Sequence, residues 1–222
     1  MDKPDDAVLT GPVIEDEELS GMRFETLGYW ESFYKVSDGK QKPEFYDWYY
    51  EFDALKAILM EHVNSNTKII DVGCGNSLVP VELAKAAEEV VGLDYSPVCI
   101  QQMKERFQSV PGLSFVIGDV TAMGYDEHYF DVVMEKGCLD AICSGQNYAK
   151  MLLLSLQEIC RIMKPGGLFL HFTWAPLDGL GGRGPYLLHP SLDWELGKVS
   201  RIPATGGTQE FNFCYRFVKR GG

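Results

Sequence analysis

Lys68-Ile69-Ile70-Asp71-Val72-Gly73-Cys74-Gly75-Asn76-Ser77 is the stretch that decides the fold. Its first five residues are a short β-rich run, and the glycines after it open a turn in which backbone can approach a ligand closely. A helical pattern, Val79 to Ala87, follows. The same alternation continues along the chain. Further β-rich runs stand at Glu89 to Leu93, Leu113 to Ile117, Phe130 to Met134 and Gly167 to Phe172, with helical patterns at Pro97 to Gln108 and Tyr148 to Met163 between them. Strands alternating with helices predict βαβ units and a parallel sheet. Lys164-Pro165-Gly166-Gly167 is read as the turn that stops the last helix. Phe211 to Val218, with Phe211, Phe213, Tyr215 and Phe217 at alternate positions, is read as a late antiparallel strand.

Outward from the glycine loop, the next strand ends in Asp94, 23 residues after Asp71. At that spacing an acid can accept both ribose hydroxyls of a bound nucleoside. The third strand ends in Gly118-Asp119-Val120, which places a second acid where an adenine amino group can donate to it. A dinucleotide fingerprint would need a third glycine at position 78, which is Leu78, so the pyrophosphate reading is weakened. Taken singly, a G-x-G is a common turn and a strand-end Asp a common helix cap. The ordered set, at the carboxyl ends of successive strands, points to one nucleoside site.

Composition bounds the rest. The 222 residues suit one ordinary domain, with 45% hydrophobic and 23% charged residues. The net charge is −12, half of it in residues 1–20, where seven carboxylates stand against Lys3. We expect an acidic flexible tail over 1–20 and a single domain over 21–222. No basic stripe is present, so nucleic-acid binding is not expected and a basic protein partner fits better. The acidic start lacks the pattern of a secretory signal, and no apolar run approaches a membrane span, so a cytoplasmic chain, or one that also enters the nucleus, is expected, without membrane attachment. Six cysteines without a C-x-x-C pair, and four scattered histidines, give no metal site; reduced thiols are expected. Residues 24–52 hold Tyr29, Trp30, Phe33, Tyr34, Phe45, Tyr46, Trp48, Tyr49 and Tyr50. They are read as helical pieces forming a lid over the sheet, too aromatic to be a surface extension.

Asp71 to Gly75, Asp94, Asp119 and Lys164 to Gly167 resemble the motifs of the seven-stranded S-adenosylmethionine-dependent methyltransferases. The resemblance covers about residues 55–218 and implies a Rossmann-like seven-stranded α/β sheet, mostly parallel with a late antiparallel strand and helices on both faces. A closer likeness is carried by Tyr29-Trp30-Glu31-Ser32-Phe33-Tyr34, Tyr46-Asp47-Trp48, Leu93-Asp94-Tyr95-Ser96 and Glu135-Lys136-Gly137-Cys138-Leu139-Asp140-Ala141. Together these are similar to the eukaryotic family that methylates a lysine of translation elongation factor 1-alpha. Many members have Thr where this chain has Cys138.

That resemblance implies S-adenosyl-L-methionine as cofactor, held by Trp30, Tyr34, Trp48, Asp71, Gly73, Gly75, Asp94, Tyr95, Asp119, Val120 and Lys136. It also implies a protein substrate, elongation factor 1-alpha; a monomer is expected. Aromatic faces at Trp30, Tyr34 and Trp48 suit a sulfonium, at about 0.5 to 2 kcal/mol per cation–π contact; their alternative is core packing. Tyr95 either stacks on adenine or packs under the sheet, and Lys136 either meets the cofactor or forms an ion pair. An acceptor lysine must be neutral to attack. Glu135 and Asp140 are the nearest carboxylates, and Glu135 is expected to orient the amine, with a structural salt bridge as its alternative. The competing classes are a small-molecule methyltransferase, a nicotinamide-dependent oxidoreductase and a non-catalytic cofactor-binding scaffold.

Overall fold

The computed structural model describes residues 23–35, 45–178, 182–205 and 210–221. The acidic stretch 1–20 lies outside them, as do residues 36–44 of the aromatic segment. Two helices, α1 (Leu27–Tyr34) and α2 (Phe52–Leu59), precede the first strand. There follow β1 (Lys68–Val72), α3 (Val79–Leu83), β2 (Glu89–Asp94), α4 (Pro97–Phe107), β3 (Leu113–Ile117) and β4 (Phe130–Lys136). The chain continues through α5 (Cys138–Cys143), α6 (Tyr148–Ile162), β5 (Met163–Thr173), α7 (Gly184–Leu187), β6 (Trp194–Pro203) and β7 (Phe211–Lys219).

The seven strands form one sheet in the order β3-β2-β1-β4-β5-β7-β6. The first five are mutually parallel, and β7 runs antiparallel to both β5 and β6. Ile69, Ile70 and Val72 of β1, and Val90, Val91 and Leu93 of β2, are all buried. Central parallel strands are covered on both faces, which is why they read as near-continuous apolar runs. On one face Ile70, Val91, Val133 and Phe169 pack with Leu152, Leu156 and Ile159 of α6. On the other, Ile69, Val90, Met134 and Phe172 pack with Leu55 and Leu59 of α2 and Val79 and Leu83 of α3. β1 pairs with β2 on one side and β4 on the other. The order therefore reverses at β1, and such a sheet opens a crevice at the carboxyl ends of these strands.

The helices carry their own signals. Ser96 caps α4 by accepting from Cys99 N at 3.2 Å, with Pro97 opening the helix and Lys104 and Arg106 in its last turn. Thr26 caps α1 by accepting from Tyr29 N at 3.4 Å. α1 is docked on α4: Glu31 Oε1 accepts from Ser96 Oγ at 2.6 Å and from Val98 N at 3.2 Å, and Tyr34 O accepts from Gln102 Nε2 at 3.1 Å.

One local reading needs correction, and two elements lie outside the expectations. Lys164 to Gly167 is no simple turn, because β5 already begins at Met163, paired with Phe130. The register then jumps, Val132 pairing with Leu168, and the intervening residues form an irregularity in the strand, with Gly166 at φ 76°. β6 has no run of its own in the sequence reading; it is an edge strand with exposed Glu195, Lys198 and Arg201 and a register shift near Gly197. Such an edge lacks the apolar pattern of a central strand. α5 is too short for a periodicity signal and starts from Gly137 at φ 88°. No helix among the described residues is long and apolar enough to cross a membrane.

Phe169 is fully buried and stacks at 5.4 Å on Trp194 and 6.1 Å on Phe217, joining the parallel and antiparallel parts of the sheet. Phe169→Ala should lower the unfolding free energy by about 3 to 5 kcal/mol in urea titration; a loss below about 1 kcal/mol would show that this junction is not part of the cooperative core.

Candidate active site

The glycine loop is built by two contacts that no larger residue permits. Gly73 has φ 69°, and a Cβ there would lie 2.5 Å from Cys138 Cβ; Gly75 has φ 54°, and its Cβ would lie 2.7 Å from Tyr34 Oη. Both the left-handed backbone and the close approach require glycine. Gly73 N and Cys74 N donate to Leu93 O at 2.7 and 2.9 Å, so the loop is tied to the end of β2.

Asp94 continues that tie. Its Oδ2 accepts from Gly75 N at 3.0 Å and its Oδ1 from Ser96 N at 2.9 Å, so one buried carboxylate joins the glycine loop to the start of α4. Burial raises its pKa, against the lowering effect of those backbone N–H groups. The loop, Asp94, Tyr95 and Asp119 border one cavity, together with Trp30, Tyr34, Trp48, Asp71, Val120 and Lys136. Tyr95 is 37% exposed at its rim. Asp119 Oδ1 accepts from Thr121 N and Oγ1, both at 2.8 Å, and its carboxyl group stands on the exposed side. All eleven residues that the resemblance assigns to the cofactor line one cavity.

The rings of Trp30, Tyr34 and Trp48 pack in a core cluster, the alternative weighed for them, and also line the cavity. Trp30 and Tyr34 are buried and stacked at 5.9 Å, and Trp48 meets Trp30 edge-on at 5.9 Å. Trp30 Nε1 donates to Phe24 O at 2.6 Å. They pack against each other and also wall the cavity.

Lys136 lines the same cavity, but its ammonium is committed elsewhere. Nζ donates to Trp48 O at 2.8 Å and pairs with Asp47 at 3.1 Å, both side chains being buried. Asp47 in turn accepts from Ser77 Oγ at the end of the glycine loop. Lys136 therefore fixes the Asp47-Trp48 backbone over the site. Asp47 and Ser77 carry no sequence signal of this role, since their pairing joins segments 30 residues apart.

Glu135 does not orient anything in this cavity. It is fully buried: Oε1 accepts from His171 Nδ1, and Oε2 accepts from Leu139 N at 3.0 Å in the first turn of α5. Glu135 and His171 are register partners on β4 and β5, so their side chains stand together on one face. The alternative reading, a structural pair, is the one observed. Asp140 borders a second cavity that shares Phe24, Trp30, Trp48, Gly137 and Ala141 with the first. All six cysteines are free thiols, four of them buried.

Asp71 lies beneath the loop, fully buried, and burial raises its pKa from 3.8 to about 8 even though the Lys136 ammonium opposes the shift. The folded chain keeps this proton in a pH range where the unfolded chain has lost it. Asp71's contribution to stability therefore falls as pH rises from 3.8 to about 8. Urea titrations at about pH 5 and about pH 8 should show a larger loss for the wild type than for Asp71→Asn. Equal losses would mean that Asp71 is ionised throughout.

Comparison with known proteins agrees with this geometry. Residues 63–176 match a family described as a methyltransferase domain. The chain is 31% identical over 184 residues to EEF1A lysine methyltransferase 4 of Mus musculus, an alignment covering 79% of this chain and 70% of that protein. It is 34% identical over 160 residues to the eEF1A lysine and N-terminal methyltransferase of Bos taurus, covering 70% of this chain and 22% of that larger protein. A solved SAM-dependent methyltransferase of Methanosarcina mazei superposes with a TM-score of 0.62 at 15% identity, covering 74% of this chain and 98% of that one. The chain belongs to the S-adenosylmethionine-dependent methyltransferases, in the family shared with EEF1A lysine methyltransferase 4.

Proposed function

We propose that the chain is a protein-lysine N-methyltransferase whose substrate is translation elongation factor 1-alpha. The observation that supports it most is the pair of cavities meeting at one aromatic wall, one bordered by the glycine loop, Asp94 and Asp119 and the other by Tyr49, Asp140 and Arg183. The acceptor itself comes from the relatives, whose names state eEF1A lysine methylation.

The residues present fit the cofactor. Glycines at 73 and 75 bring backbone to a ligand without a Cβ in the way. Asp94 and Asp119 are acceptors where ribose hydroxyls and the adenine amino group are donors. Trp30, Tyr34 and Trp48 offer ring faces to a sulfonium. When bound, the cofactor supplies a methyl carbon that bonds to the acceptor nitrogen's lone pair as the carbon–sulfur bond breaks, moving the positive charge from sulfur to nitrogen. No covalent protein intermediate is required. The chain contributes alignment and exclusion of water, which the closed aromatic wall supplies. In this reading the aromatic segment is the lid of the site.

Asp94→Ala removes the ribose acceptor together with the bonds that hold Gly75. The Kd for S-adenosylhomocysteine should rise at least about tenfold by calorimetry, since hydrogen bonds to a charged group contribute about 1.5 to 3 kcal/mol each. An unchanged Kd would remove Asp94 from the site. Incubation of the chain with methyl-labelled cofactor and purified elongation factor 1-alpha should place label on a lysine. Label on nucleosides or catechols, with none on that protein, would overturn the substrate.

A further inference from the structure

The second cavity contains a tyrosine in a conformation that tyrosine rarely adopts. Tyr49 has φ 65°, in the left-handed region where a bulky side chain crowds its own backbone. Such a residue persists only where its surroundings over-determine it, and such residues cluster at functional sites. Here the surroundings are specific. Trp48 O is held by Lys136, and Tyr50 Oη donates to Ile202 O at 2.9 Å and Pro203 O at 3.0 Å. Between these anchors the Tyr49 carbonyl accepts from Thr205 Oγ1 at 3.0 Å, and its phenol donates to Asp140 Oδ2 at 2.7 Å. Three consecutive residues are fastened to different elements, and the strained joint aims the Tyr49 ring into the cavity beside Gly137.

Asp140 is in no position to take an acceptor amine itself. Its Oδ1 accepts from Thr173 Oγ1 at 2.7 Å and is ion-paired with the Arg183 guanidinium, and its side chain is buried. The arrangement instead fixes the phenol. With its one proton given to Asp140, the Tyr49 oxygen has only acceptor capacity left. Burial, with the Asp140 carboxylate adding to it, raises the Tyr49 pKa well above that of a free phenol, so the proton stays. Arg183 offsets the charge of Asp140, which leaves no uncompensated carboxylate to hold an ammonium.

We propose that Tyr49 is the acceptor-side catalytic residue: its phenol oxygen, oriented by Asp140, accepts an N–H of a neutral primary amine at the wall between the two cavities. Held by an N–H, the nitrogen keeps its lone pair free for the methyl carbon. After transfer the nitrogen carries the positive charge as a secondary ammonium and loses its proton to solvent on leaving. The inference rests on the methyltransferase reading but not on elongation factor 1-alpha as the substrate.

The test titrates n-butylamine, at a pH where a large share is neutral, into the chain saturated with S-adenosylhomocysteine and isotope-labelled at tyrosine Cζ. A saturable shift of the Tyr49 resonance, assigned from the uniformly labelled wild type, is expected; its absence overturns the proposal. In parallel, label transfer to whichever lysate protein accepts it is compared between wild type and Tyr49→Phe. The variant should lose about tenfold or more in kcat/KM, with its Kd for S-adenosylhomocysteine within about twofold of wild type. Unchanged kcat/KM also overturns the proposal. Should n-butylamine shift Tyr49 while elongation factor 1-alpha takes no label, the proposed substrate is wrong and the amine site stands. Should Tyr49→Phe fail to fold, the titration of the wild type decides alone.

Discussion

The buried pair between Lys136 and Asp47 is the contact on which the site depends. Lys136 ends β4, at the point where the strand order reverses, and Asp47 belongs to the aromatic segment that precedes the sheet. Taking both charges out of water is costly, and their attraction offsets that cost only with good geometry and further hydrogen bonds. Those bonds are present: Lys136 also donates to Trp48 O, and Asp47 accepts from Ser77 Oγ. Removing one member of such a pair strands the other charge, typically at about 3 to 5 kcal/mol. The pair thus fastens Trp48, one of the rings shared by both cavities, to the glycine loop.

The electrostatics beneath the loop follow from the same constraint. Four acidic groups, Asp47, Asp71, Asp94 and Glu135, are buried near a single ammonium. They are separated by partner rather than by distance to solvent. Asp47 takes the ammonium, Asp94 takes backbone N–H groups of the glycine loop and of α4, and Glu135 takes His171 and Leu139 N. At Asp71 burial outweighs the opposing Lys136 ammonium and pushes the pKa up to about 8. A carboxylate with fixed N–H partners can remain a strong acceptor when buried, which suits Asp94 to ribose hydroxyls.

Much of the sheet was legible because central parallel strands are apolar almost throughout, and the run at Lys68 to Val72 matches the observed strand residue for residue, as does the run at Leu113 to Ile117 on the edge. The cavity was legible for a related reason. Its glycine loop, Asp94 and Asp119 stand at strand ends or in the loops after them, and position relative to a strand end can be read without knowing any tertiary contact; Trp30, Tyr34 and Trp48 precede the first strand and came only with the family resemblance. β6 escaped because an edge strand with both polar and apolar residues facing water has no period to read. Glu135 was misassigned for a different cause. Adjacent in sequence to Lys136, it points to the opposite face, and only the register of β4 against β5 shows that His171 waits there. Tyr49, one of eleven aromatics in residues 24–52, carries no sequence mark of its strained backbone.

A crystal structure of the chain grown with S-adenosylhomocysteine tests the central claim most directly. Ligand density between the Gly73–Gly75 loop and the Trp30–Trp48 wall, with the ribose hydroxyls on Asp94 and the adenine amino group at Asp119, is the expected result. Density at another place, or saturating ligand with that cavity filled only by water, would contradict it.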